Sequence, residues 1–156
     1  MRAVLTLLLL LAGPALAEAP LTDGQVRAFV MRQEQAWNAG ALDRYFAAFT
    51  PDARFTDQAY VGDKPPVVYG TSTLSQASAQ VRRARRDTKT LEAGQIVRVE
   101  IAADGRSARV VSRETSTVEK AGRTRRLCAT RTQTVEFRGG RLRSRGQTDT
   151  FIKCPR

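Results

Sequence analysis

The chain has 156 residues, enough for one domain with a buried core. It has two cysteines and no histidine, so Ser-His-Asp and Cys-His catalysis are excluded, a Cys/His zinc tetrahedron cannot be completed, and no metal or cofactor is implied. Lys and Arg outnumber Asp and Glu by 26 to 15, a net charge of +11. That charge suits a solvated basic surface or an anionic partner. The arginines are spread over several elements without interleaved aromatics, so nucleic acid is not expected.

Arg2 followed by the apolar run Val4 to Ala12, a Gly13-Pro14 break and Ala15-Leu16-Ala17 reads as a secretory signal peptide over residues 1–17. The run of nine is too short to span a bilayer, and no later stretch is long or apolar enough to do so. The remainder, 18–156, is expected to form one domain in the periplasm or outside the cell. There, two thiols and no others point to one disulfide, Cys128–Cys154.

Thr22 or Asp23 can cap a first helix. Val26, Phe29, Val30, Gln33 and Trp37 lie on its one face, with Gln33 the single strongly polar member. Gly40 stops this helix. Leu42, Tyr45, Phe46 and Phe49 repeat the helical spacing until Pro51. Ala53 to Asp57 reads as a short strand with Phe55 and Asp57 on one side. Tyr60 to Gly70, with Pro65-Pro66, reads as a loop. A third helix follows Thr71-Ser72-Thr73, carries the stripe Leu74, Ala77, Val81 and Ala84, and ends in a basic run.

From Thr88 the period changes to two. Asp104-Gly105 joins strands Ile96–Ala103 and Arg106–Lys120, and Gly139-Gly140 joins Arg125–Phe137 and Arg141–Cys154. Helices first and a long meander after indicate an α+β fold, with helices on one face of a curved antiparallel sheet. In the first hairpin Val99 opposes Val110, so Val97, Ser112 and Glu114 share the inner face. In the second, Phe137 opposes Leu142 and Val135 opposes Ser144, so Leu127, Ala129, Arg131, Gln133, Thr148, Thr150 and Ile152 face inward. Arg109, Arg113, Arg141, Arg143 and Arg145 are expected on the wet face. The inner face is thus apolar near the turns and polar in its middle, where Glu114 and Arg131 are expected to pair.

The stretches "WNAGALDRYFAAFTPDARFTD", "VVYGTSTLSQAS" and "TVEFRGGRLRSR" together resemble the nuclear transport factor 2-like superfamily, which includes SnoaL-like cyclases and ketosteroid isomerase. The resemblance implies a cone: a bent sheet wrapped around a long helix, with a pocket at the open end. Against the ketosteroid isomerase pattern, Asp57 takes the general-base position. Gln33 and Gln133 take those of the tyrosine and aspartic acid donors, so both strong donors are replaced by amides, which stabilise a developing enolate less.

The reading this favours is an exported domain that binds a small-molecule ligand in a polar pocket. Asp57, Gln33, Gln133, Glu114 and Arg131 would orient the ligand, and Trp37, Tyr45, Phe55 and Tyr60 would wall it. The alternatives are an isomerase, cyclase or dehydratase with Asp57 as catalytic base, and a protein-interaction domain with a basic sheet face. The sequence sets no oligomeric state.

Overall fold

The computed structural model describes residues 19–155, so the signal-peptide segment lies outside the described residues. Helix α1 (Asp23–Asn38) begins in a capping box: the Thr22 hydroxyl accepts the Gln25 N–H, and the Gln25 side chain accepts the Thr22 N–H. α2 (Leu42–Ala47) follows after one turn. α3 (Leu74–Ala84) repeats the capping box with Thr73 and Gln76. The strands are β1 (Phe49–Ala59), β2 (Val67–Thr73), β3 (Thr88–Ile101), β4 (Ser107–Lys120), β5 (Arg123–Arg138) and β6 (Arg141–Ile152). They form one curved, open sheet in the order β2-β1-β6-β5-β4-β3. The β1–β6 pair is parallel and the others are antiparallel. No helix among the described residues is long and apolar enough to cross a membrane.

Several local expectations change. Phe49 opens β1 rather than closing α2. Its ring packs on Tyr45 and Phe55 at 5.3 and 4.9 Å, and Pro51 sits where β1 slips register against β6. The expected loop ends early, because Val67–Thr73 pairs with β1 as an edge strand.

Both hairpin registers hold near their turns, with Val99 opposite Val110 and Val135 opposite Ser144. Each then meets a bulge. One between Ile96 and Arg98 turns Val97 outward, where it is 51% exposed, and packs Ile96 against the core. The other lies where the β5–β6 register shifts between Gln133 and Val135. Beyond it Gln147, Asp149 and Phe151 take the inward parity expected of Thr148, Thr150 and Ile152. Gly146 makes this second bulge possible: its φ is +133°, and an added Cβ would collide with the Arg54 backbone.

The core is divided. Leu21, Val26, Phe29, Ala108, Val110 and Val135 form one apolar cluster under the start of α1. Ala36, Tyr45, Phe46, Phe49, Ala53 and Ala77 form another between α2, α3 and β1. Along α1, Gln33 falls between Phe29 of the first cluster and Ala36 of the second. On the opposite face Arg109, Arg113, Arg141 and Arg145 are exposed as expected. Arg143 is only half-exposed, because its guanidinium donates to the carbonyls of Ala47 and Phe49 at 3.1 Å and ties α2 to β6.

Cys128 and Cys154 are joined. The bulge places Cys128 opposite Ile152, so the tail needs only two further residues to bring the Cα atoms to 5.1 Å.

Candidate ligand-binding cleft

The inward parity of β5 presents Arg131 and Gln133, and the bulged β6 presents Gln147 and Asp149 beside them. Arg131 is the hub. It donates to Asp149 through Nε and Nη2 at 2.7 and 3.0 Å, and to Glu92 through Nη1 and Nη2 at 3.0 and 3.4 Å. Glu114, its expected partner, is more distant at 3.9 Å and instead accepts the Ser112 hydroxyl. The Arg131 side chain is 14% exposed, and those of Glu92 and Asp149 are 9% and 13% exposed. Burial alone would lower the Arg131 pKa. The charges of Glu92 and Asp149 outweigh it and keep the guanidinium ionised.

A cleft of about 180 Å³ opens on this cluster. Trp37, Tyr45, Phe46 and Phe55 wall it; Asp57, Asp149, Glu92 and Arg131 supply its charge, with Gln80 and Gln147 alongside. Asp57 and Asp149 are register partners on the parallel strands β1 and β6, so both reach the same side. Asp57 is exposed at the mouth, and partial burial and then the Asp149 charge push its carboxyl pKa up. The Tyr45 hydroxyl donates to Gln147 at 3.4 Å, and burial raises its pKa. One face of Trp37 is taken by the Arg85 guanidinium, 4.5 Å from the ring centroid.

The two glutamines lie deeper. Gln133 Nε2 donates to Gln33 Oε1 at 3.0 Å, and both residues are buried. They line an adjoining space of about 20 Å³, which shares Tyr45, Glu92, Arg131 and Gln147 with the cleft and also touches Glu34 and Glu114. Gln33 Nε2 has no partner there. The cleft thus holds Asp57, Trp37, Tyr45, Phe55 and Arg131 of the expected residues, while Gln33, Gln133 and Glu114 fall in the layer behind. Tyr60 is a correction: it is 57% exposed beyond the end of β1 and lines no part of this cleft, because β1 carries it past the sheet rim.

Sequence reasoning missed Asp149 and Glu92. Asp149 was hidden by the bulge, of which a glycine inside a strand pattern is the one available sign. Glu92 precedes the expected start of β3. Its backbone is held by Asn38, whose side chain donates to the Glu92 carbonyl and accepts the Glu92 N–H, each at 2.8 Å.

No family model matches the chain, and no curated protein matches it. Solved structures do. The beta subunit of benzoate 1,2-dioxygenase from Burkholderia mallei superposes with a TM-score of 0.65 at 17% identity, covering 86% of this chain and 93% of that one. A ketosteroid isomerase-like protein from Erwinia carotovora atroseptica gives 0.63 at 14% identity, covering 83% and 95%. ActVI-ORFA from Streptomyces coelicolor gives 0.60 at 18% identity, covering 82% and 95%. With this helix and strand order and a cleft between sheet and helices, the chain has the nuclear transport factor 2-like fold.

Proposed function

We propose that the chain works outside the cytoplasm as a small-ligand-binding domain, and that its ligand brings a positively charged or hydrogen-bond-donating group to Asp57 and Asp149. The observation that carries this reading is the charge of the cleft. Three carboxylates, Asp57, Asp149 and Glu92, line it against one guanidinium, in a protein whose net charge is +11. A surplus of carboxylates between aromatic walls favours a cation with apolar flanks.

Binding is favoured over proton transfer because Gln33 and Gln133, the amides that would polarise a carbonyl, are bonded to each other outside the cleft that holds Asp57. Enolate chemistry needs base and donors around one substrate atom. The disulfide and the signal-like N-terminus support an extracytoplasmic setting.

The test is an amide-resolved NMR titration with benzylamine, benzyl alcohol and benzoate at low salt. Benzylamine should shift resonances of Asp57, Asp149 and Arg131, and Asp57→Asn should weaken it several-fold. Preferential binding of benzoate would overturn the reading.

A further inference from the structure

Beyond Asp57 and Asp149 the inner face of the sheet continues past the cleft. One inward row further along the same strands, Ala59 pairs with Phe151 and Ala129 pairs with Phe151 from the other side. The Tyr69 ring lies 6.3 Å from that of Phe151, centroid to centroid. Tyr69 also feels the charges of Asp57 and Asp149, and its neighbour Gly70 lies directly against the Asp57 side chain. Tyr69 is therefore the threshold between the acidic cleft and what lies beyond it.

Beyond it is a groove of about 600 Å³. It exists because β6 stops at Ile152 while β5 begins as early as Arg123, which leaves a notch floored by Leu127, Phe151 and the disulfide. Arg125, Arg126 and Lys153 rim this notch, all three are exposed, and no carboxylate of the described residues lines it. The inward side chains thus run from carboxylates, across two aromatic rings, to Arg125 and Lys153, with Arg126 on the other face of β5 at the groove's edge.

We infer that the ligand is a zwitterionic amphiphile whose ammonium sits at Asp57 and Asp149, whose apolar middle lies on Tyr69 and Phe151, and whose acid group meets Arg125 and Lys153. The inference rests on the cation-binding reading above and adds the tail and its charge. The order of charges fixes the orientation, since the reversed ligand would set like charges together at both ends. Successive inward rows are about 7 Å apart, so Lys153 lies two rows and Arg125 three rows from Asp149, about 13–20 Å along the backbone, less the reach of the long basic side chains. An eight-carbon ω-amino acid has the right form, and the groove beside the disulfide takes the part of the ligand that the smaller cleft cannot hold.

Titrating the oxidised protein with 8-aminooctanoate, octylamine and octanoate tests this by calorimetry at low salt. 8-Aminooctanoate should bind about ten-fold tighter than octylamine, and octanoate should bind most weakly. Arg125→Gln combined with Lys153→Gln should bring 8-aminooctanoate down about ten-fold, to the affinity octylamine has for the parent. Both are surface substitutions, and an unchanged thermal midpoint would verify the fold. If octylamine binds as tightly as 8-aminooctanoate, or the rim variant changes nothing, the zwitterion is wrong and the cation reading stands. If neither amine binds, or octanoate binds best, both readings fall.

Discussion

Asn38 pairs its side-chain amide with both backbone groups of Glu92, as a neighbouring strand would. This joins the last residue of α1 to β3 and aims the Glu92 carboxylate at Arg131. Asn38→Ala should cost about 1–3 kcal/mol, since it leaves a half-buried N–H and carbonyl unpaired. Urea unfolding would measure the cost. The same variant should shift the NMR signals of the Arg131 guanidinium, whereas an Asn38 that merely ends the helix would leave them in place.

Arg131 faces Glu92, Asp149 and Glu114 across the polar layer. Arg131→Met should destabilise the fold by about 3–5 kcal/mol at neutral pH, because it strands buried carboxylates without a counter-charge. The loss should shrink at acid pH, where Glu114, whose carboxyl burial holds above the usual range, takes up a proton. Denaturant midpoints of parent and variant at the two pH values would show this, and a pH-independent loss would argue for a packing role instead.

Burial raises the Glu114 carboxyl above the ordinary carboxylate range, against the pull of Arg131 and Ser112. A carboxyl that holds its proton more tightly when folded contributes stability that is complete below its unfolded pKa. That contribution is lost as pH rises through the folded value. Glu114→Gln keeps the acceptor for Ser112 and removes this loss. Its stability relative to the parent should therefore improve from pH 4 to pH 7, a trend that thermal melts across that range would read.

Gly146 has both a φ of +133° and no room for a Cβ beside Arg54. Gly146→Ala should cost about 2–4 kcal/mol through backbone strain and a forced shift of β1 from β6. Because the bulge sets the inward parity of Asp149, benzylamine binding should weaken with it. A melt within 1 °C of the parent would show that the strand tolerates the change.

The Cys128–Cys154 bridge closes a loop with a sequence separation of 26. Cys154→Ser should lower stability by about 3 kcal/mol in the chain-entropy account. Comparison of its urea midpoint with that of the oxidised and the reduced parent would check the figure. The reduced parent should fall with the variant.

The sequence by itself determined three helices ahead of a long meander, a start of α1 at Thr22 or Asp23, two of the tight hairpin turns and the inward parity of Ser112, Glu114, Arg131 and Gln133, but not the edge strand β2. These follow from local chemistry: capping side chains, glycines at turns, and a period of two counted outward from a known turn. The cysteine pair was legible for a compositional reason, two thiols and no other. Tertiary structure alone decided the rest of the site. Asp149 faces the cleft because Gly146 absorbs a close approach of β1, a strand almost a hundred residues earlier in the chain, and no local pattern counts that contact. Glu92 joins Arg131 because Asn38 holds its backbone. The glutamines left the cleft because each found the other as a partner. Parity propagates along a strand only until something outside the strand interrupts it, and here both interruptions fall beside the polar layer.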